Sequence, residues 1–349
     1  MVSPKRKARV SPLHDGRSVL TRGVALSGLV VLVLIGAWLT IAQQHRRQER
    51  PIRISTRVFI AIGSKPSNSE LREGARRSWL RWQKEGEVEY KFFSDDPGAP
   101  GADLSDDHAK KLLSEYTKMG DLVLMPLGSG YGTKEDNRFL ARALYQFQYA
   151  RDNYDFGYFL RIDDDSFLCL HRLVFEVESY PITQFFMGRY WCKSGRHRAD
   201  ENFMLFSADV ADFFSPPSKL LPLDPKVTFA WNFGLLSHML NLSTFDDQTR
   251  IDAQQGYLTE YMHRDSTAEE YSKDYKNFCM RFLYAHHVRS AQVMERVYND
   301  TVTHLLYDAP AMTSKESGCK PSDQGFIPAR HSKALPNIII QNNANEYDK

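Results

Sequence analysis

FGYFLRIDDDSFLCL, residues 156–170, decides how the rest of this chain is read. An apolar, strand-like run ends in three consecutive aspartates, Asp163, Asp164 and Asp165. Adjacent carboxylates at the end of a hydrophobic strand repel one another and lose hydration, which is costly unless a cation offsets their charge. Oxygen ligands in that position suit a hard divalent ion, Mg²⁺ or Mn²⁺, whose other ligands are often phosphate oxygens. The competing reading is an exposed acidic turn after a buried strand.

The surrounding pattern favours a ligand site. RVFIAIGS (57–64) is short, apolar and β-branched, and reads as a buried strand. SELREGARRSWLRWQK (69–84) reads as a helix capped by Ser69, with Arg72 and Arg76 on one face. EYKFFSDD (89–96) and DLVLMPL (121–127) read as two more strands. Residues 134–152 carry a helical apolar stripe of Phe139, Leu140, Ala143, Leu144, Phe147 and Ala150. Tyr158 to Ile162 then forms the strand that delivers the aspartates. Strands alternating with helices predict an α/β domain on a largely parallel sheet, where ligands gather at the carboxyl ends of the strands.

The chain has 349 residues, 42% hydrophobic and 25% charged, with a formal net charge of +2. That is an ordinary globular balance and gives no support to nucleic-acid binding. Basic residues gather at the start, in Lys5, Arg6, Lys7, Arg9, Arg17 and Arg22. They precede GVALSGLVVLVLIGAWLTIA (23–42), which has no charged side chain and is long enough to span a bilayer. A signal peptide has a shorter apolar core and a small-residue cleavage site, and Leu39-Thr40-Ile41-Ala42 is a poor one. The expected organisation is therefore a basic cytoplasmic tail (1–22), a signal anchor (23–42), a short stem (43–55), a luminal domain (56–310) and an irregular C-terminal tail (311–349).

Arg46, Arg47, Arg50, Arg53 and Arg57 beyond the anchor leave only a weak charge bias for orientation. Asn241-Leu242-Ser243 and Asn299-Asp300-Thr301 fit the N-glycosylation pattern, which favours luminal placement of everything after the anchor. Cys169, Cys192, Cys279 and Cys319 form no C-x-x-C pair, so a structural zinc site has no support. In an oxidising lumen they allow up to two disulfides with three pairings, and in the cytosol they would be free thiols.

In that order these elements resemble the β-1,3-glycosyltransferases of glycosyltransferase family 31, which include galactosyl-, N-acetylglucosaminyl- and fringe-type enzymes. The family's R-x-A-I-R-x-T-W motif is echoed by Arg72, Gly74, Ala75, Arg76, Ser78 and Trp79. Its K-x-D-D-D-x-F motif is echoed by Arg161, Asp163, Asp164, Asp165 and Phe167. ENFMLFSADVADFF (201–214) resembles the G-x-x-Y-V-L-S stretch through Leu205, Ser207 and Val210. LYAHHVRSAQVM (283–294) resembles an H-x-x-x-x-x-x-M element through His287 and Met294. The resemblance spans roughly residues 57–300.

It implies a GT-A fold that binds a UDP-sugar donor and Mn²⁺ and transfers a hexose, galactose or N-acetylglucosamine, to a glycan acceptor with inversion. It implies Asp165 as a metal ligand, with Asp163 nearer the ribose or behind the metal. Asp164, Arg72 and Arg76 would lie near the nucleotide. His287 would be a further ligand, with His286 one register position away. The expected placement is a single-pass type II protein of the Golgi membrane, or of the ER, with the domain in the lumen.

The expected catalytic base breaks the pattern. The family's E-D-V-Y-V-G aligns with FAWNFG, which puts Phe229 and Ala230 where the acidic pair belongs. Asp247, then Asp246, in NLSTFDDQTRIDAQQG are the leading replacements, followed by Asp224 and Glu201. Tyr190, Trp191, Phe203, Trp231 and Phe233 offer aromatic faces to an acceptor sugar, or are core packing. The alternatives are a transferase of another D-x-D family, such as a retaining mannosyltransferase, and a catalytically silent glycan-binding partner subunit.

Overall fold

The computed structural model describes residues 53–100, 105–128, 138–193, 196–215, 223–224, 226–239, 242–247, 250–252 and 278–301. The expected tail, anchor and most of the stem, and the C-terminal tail, lie outside the described residues. Among those described, no helix is long and apolar enough to cross a membrane.

Seven strands form the main sheet: β1 (Ile54–Gly63), β2 (Val88–Asp95), β3 (Leu122–Met125), β4 (Tyr154–Asp163), β6 (Phe185–Lys193), β7 (Arg196–Ser207) and β8 (Ser243–Asp246). Their spatial order is β3-β2-β1-β4-β7-β6-β8. Neighbours from β3 to β4 run parallel, and β7 is antiparallel to both β4 and β6. From β1 the chain first adds strands on one side and then crosses to place β4 on the other. The order therefore reverses between β1 and β4, at the position where open α/β sheets place ligands. A second sheet joins β5 (Ser166–Leu168), which directly follows the aspartates in sequence, to β10 (Tyr284–His286) and β9 (Ile251–Asp252).

Burial explains the apolar runs. Val58 through Ile62 are all buried in β1, and Phe159, Leu160 and Ile162 are buried in β4. Strands covered on both faces lose the polar–apolar alternation of a one-sided sheet. One face carries Ile60, Ile62, Leu160 and Phe167 against Ala75, Trp79 and Met294. The other carries Phe59, Phe159, Met204 and Phe206 against Phe147, Phe229 and Phe233. Phe203 and Phe233, offered above as acceptor-facing aromatics, are wholly buried core residues. The side chains of Tyr190 and Trp191 lie outside the described residues.

The expected helix over 69–84 is α1 (Ser69–Arg77) followed by a 3₁₀ turn, Trp79–Trp82. The break falls at buried Ser78, whose hydroxyl bonds back to the Gly74 carbonyl at 2.6 Å. Asn68, not Ser69, occupies the cap position, and its amide reaches Asp164 instead of capping the helix. A helix not anticipated above, α2 (Asp106–Met119), buries only Leu112 fully. The helix before the aspartate strand is α3 (Arg138–Asn153). Then come α4 (Leu170–Glu176), α5 (Ala208–Asp212), α6 (Phe229–Met239), α7 (Phe278–Arg281) and α8 (Ala291–Asp300).

Of the pairings left open, the structure forms a Cys169–Cys279 disulfide, which ties the start of α4 to α7 across 110 residues of sequence. Gly74 permits the close approach of α1 to α8. A Cβ there would lie 2.7 Å from the Ala291 Cα and 2.8 Å from its Cβ. Gly74→Ala is therefore expected to destabilise the fold by about 1–3 kcal/mol in urea unfolding, despite the better helix propensity of alanine. An unchanged or higher midpoint would contradict this packing.

Candidate metal centre at the β1–β4 switch point

The parallel register of β1 and β4 runs to the pair Gly63–Asp163, and the Asp164 N–H continues it by donating to the Gly63 carbonyl at 2.9 Å. The three aspartates consequently leave the sheet at the carboxyl end of the switch point. Each then meets a different environment.

Asp164 turns inward and is only 5% exposed. It accepts from Ser64 Oγ at 2.6 Å and Asn68 Nδ2 at 3.1 Å, which joins the triplet to the loop after β1. Burial pushes its carboxyl up to about 7, against those two hydrogen bonds and with help from the Asp165 and Asp163 charges. Expected beside the nucleotide, Asp164 is instead the internal brace of the loop.

Asp163 is about one-third open, at 32% exposure. Burial of its carboxylate still pushes it up to about 6; Arg161 opposes the rise, while Asp165 and Glu201 add to it. Asp165 lies opposite two imidazoles. Its Oδ1 is 3.0 Å from His286 Nε2, and its Oδ2 is 3.5 Å from His287 Nδ1. Burial acts to raise the Asp165 carboxyl, but the His286 hydrogen bond and the nearby His286, His287 and Arg289 charges hold it below its ordinary value.

The small sheet delivers the histidines. β10 pairs antiparallel with β5 so that His286 sits opposite Ser166, the residue after Asp165. Val288 N–H donates to the Asp165 carbonyl at 2.7 Å and fastens the turn. One ligand atom from each of Asp165, His286 and His287 lies within 4.8 Å of the others, a spacing that could hold a cation. Carboxylate oxygens and imidazole nitrogens suit a first-row divalent metal, and the raised carboxyls of Asp163 and Asp164 lack the counter-charge such an ion would bring. The donor set thus fits the expected Mn²⁺.

Arg72 and Arg76 are engaged differently from expectation. Every donor of wholly buried Arg72 is used within the protein. Its Nε and one terminal nitrogen meet Glu115 at 2.8 and 2.7 Å, and the rest reach Ser64 Oγ and the Lys65 and Pro66 carbonyls. Arg76 forks onto Asp121 at 2.8 Å through two nitrogens and also meets Glu115 at 2.7 Å. The expectation that these guanidinium groups face a nucleotide is corrected here: they pin α1 to α2. Arg72 acts on the site only through Ser64, which it orients toward Asp164. Glu115 and Asp121, the missed partners, lie some 40 residues on, beyond any local sequence signal.

The expected bases separate as well. Asp246 ends β8, and the register Arg161–Met204–Gly188–Asp246 places it three strands from β4, about 14 Å across the sheet. Asp247 accepts the Arg250 backbone N–H at 3.1 Å and its guanidinium at 2.6 Å, while Arg250 also forks onto buried Glu176 at 2.8 Å. That carboxylate braces the β8–β9 connection to α4, so Asp247 is corrected from base to structural ion pair. Asp224 is turned to the α6 side, accepting from Lys226 N–H at 2.9 Å and donating its own N–H to Asn232. Glu201, on the strand next to β4, remains beside the aspartates. Its Oε1 accepts from Ala230 N–H at 2.8 Å at the start of α6, and its Oε2 lies 4.0 Å from Arg161.

The charge pattern gives a signed pH dependence. An unfolded aspartate ionises near pH 4, whereas Asp163 and Asp164 hold their protons to about 6 and about 7. Between those values the folded chain binds more protons than the unfolded chain, so this pair makes metal-free stability fall as pH rises from about 4 to about 7. Depressed Asp165 acts oppositely, its contribution being lost only as pH falls below about 4. A cation requires the ionised carboxylates, so its stabilisation grows through the same window. Thermal melts in chelator are expected to show the falling trend, with a shallower slope in Asp164→Asn. An Asp164→Asn slope identical to that of the native chain would contradict it.

No family model matches the chain, and no curated protein matches it. Similar solved structures include the galactosyltransferase LgtC in complex with donor and acceptor sugar analogues, at 10% identity over 70% of this chain and 96% of that one, TM-score 0.39. Another is the glycosyltransferase GlyE of Streptococcus pneumoniae TIGR4, at 11% identity over 70% of this chain and 60% of that one, TM-score 0.36. A third is the bifunctional glycosyltransferase WbbM, at 9% identity over 72% of this chain and 52% of that one, TM-score 0.38. Superpositions this loose leave the chemistry to be read from the residues themselves.

Proposed function

We propose that this chain is a metal-dependent glycosyltransferase of GT-A type that moves a hexose from a UDP-sugar to a hydroxyl of a glycan acceptor. The observation that carries the reading is the convergence of Asp163, Asp165, His286 and His287 at the carboxyl end of the β1–β4 switch point. A Mn²⁺ ion held by these residues would act as a Lewis acid toward the departing diphosphate. The finer assignment, to glycosyltransferase family 31 and a β-1,3 linkage, rests on the motif resemblance.

Inverting transfer needs a carboxylate to take the proton of the acceptor hydroxyl. Its oxygen then attacks the anomeric carbon, and the bond to the diphosphate breaks with its electron pair leaving on the phosphate oxygen. Glu201 is the carboxylate best situated for this role. It borders the triplet, its charge is felt by Asp163, and Arg161 and the α6 N-terminus orient it. Asp163 would sit toward the ribose. Ser64, Asn68 and Arg72 keep the loop around the diphosphate in place through Asp164.

In this reading residues 23–42 anchor a type II Golgi protein with its domain in the lumen. The Cys169–Cys279 disulfide supports an oxidising compartment, and Asn299 of the second glycosylation tripeptide is exposed at the end of α8.

A panel of UDP-sugars tests the proposal. Donor turnover is expected only with added Mn²⁺ and is lost in Asp165→Ala. Glu201→Gln should retain UDP binding while transfer falls about 10²–10⁴-fold. Asp247→Asn should lower stability yet leave the residual protein active. Turnover indifferent to both chelation and Asp165→Ala would sink the metal assignment, and full transfer by Glu201→Gln would remove it as base.

A further inference from the structure

We infer that the cation is bound through both imidazoles, His286 and His287, together with Asp165, so that the site selects ions accepting nitrogen ligands over Mg²⁺ and Ca²⁺ and loads without nucleotide. This deepens the proposed function and rests on its metal centre. It departs from the oxygen-only site that the aspartate triplet suggests by itself.

Successive residues of a strand point to opposite faces, so an extended His286-His287 pair could present one ring to Asp165 and not both. The backbone departs from that pattern at this residue. His287 has φ +63°, one of two non-glycine residues with positive φ among those described. The left-handed turn swings its ring alongside that of His286, with centroids 3.8 Å apart. Both rings then address the same carboxylate, one oxygen each. A side chain in that backbone region is an uncommon and mildly costly arrangement, of the kind that recurs at ligand sites. The turn is over-determined from below by the Val288–Asp165 backbone bond.

The remaining contacts suit ligation. His286 is buried at the end of β10, and its Nε2 also lies 3.9 Å from Asp163 Oδ2, so this nitrogen is central to the carboxylates. A guanidinium nitrogen of Arg289 lies 3.0 Å from His287 Nδ1. The same nitrogen faces Asp165 Oδ2 at 3.5 Å, and in the tautomer that accepts from Arg289 its lone pair is available to a metal. Arg289 is 68% exposed and free to move aside without unpacking the core. Two imidazoles and one carboxylate leave open positions that a diphosphate can take in two-point fashion. They favour Zn²⁺ and Co²⁺ over Mn²⁺, and all three over hard Mg²⁺.

The test is calorimetric titration of the full chain, stripped of metal and without nucleotide, with ZnCl₂, CoCl₂, MnCl₂ and MgCl₂, paired with pulsed EPR of bound Mn²⁺. The expected result is affinity in that order, with Mg²⁺ at least about tenfold weaker than Mn²⁺ and nitrogen couplings from two imidazoles. His286→Gln and His287→Gly should each weaken Mn²⁺ at least about tenfold and leave one coupling. Glycine adopts the left-handed turn freely, so His287→Gly should keep the melting temperature, and its loss of affinity then reports a lost ligand. Equal Mg²⁺ and Mn²⁺ affinities, or His287→Gly binding Mn²⁺ as tightly as the native chain, would overturn the inference. If such a chain still transferred sugar with Mn²⁺, only the two-imidazole claim would fall and the glycosyltransferase reading would stand.

Discussion

The parallel pairing of β1 with β4 is the constraint on which the rest of the molecule depends. It ends at Gly63 and Asp163, so the same hydrogen-bonded ladder that buries Ile60, Ile62, Leu160 and Ile162 also fixes where three carboxylates emerge. The apolar strands contribute burial free energy on both faces, and that surplus holds a charge cluster no isolated turn would keep together. Gly63 belongs to this arrangement, since a Cβ there would lie 3.2 Å from Asp163 Oδ1.

From that junction the charges are sorted by their partners. Asp164 is given to the loop after β1, through Ser64 and Asn68, and that loop is held in turn by the Arg72–Glu115 pair. Asp165 is given to the histidines of the small sheet. Asp163, between them, keeps the partial exposure that a ligand requires. A second buried network, Arg172–Glu176–Arg250–Asp247 with Tyr180, binds the β8–β9 segment to α4 near the disulfide. Removing one member of either network would leave an uncompensated buried charge, typically worth about 3–5 kcal/mol. The two networks are therefore scaffolding, and the carboxylates between β4, β7 and β10 are those left for the proposed chemistry.

Much of this was legible in the sequence, for identifiable reasons. β1 and β4 were readable because double-sided burial writes itself as unbroken apolar runs. The helix α2 was legible but passed over: Ala109, Leu112, Leu113 and Tyr116 fall at helical spacing between the Ser105 cap and left-handed Gly120, although the fold buries only Leu112 of them. The arginine face of α1 was visible, but its partners Glu115 and Asp121 are long-range, so residue type pointed to phosphate where tertiary structure supplied carboxylates. The register of His286 against His287 depended on a three-residue strand pairing across more than 100 residues, and on one positive φ, neither of which has a local signature. Asp247 is different: Arg250, three residues on, was a local hint that its carboxylate was already paired. Glu201 stood out only once β7 was placed beside β4.

The central claim is that a divalent metal and a nucleoside diphosphate meet at the end of β4. The most direct measurement is an anomalous difference map from crystals of the chain grown with MnCl₂ and UDP. The account expects one strong peak within coordination distance of Asp165 and the His286–His287 pair, with the diphosphate on its open side next to Asp163. Manganese bound elsewhere, or UDP ordered away from the β1–β4 junction with no metal between them, would contradict it.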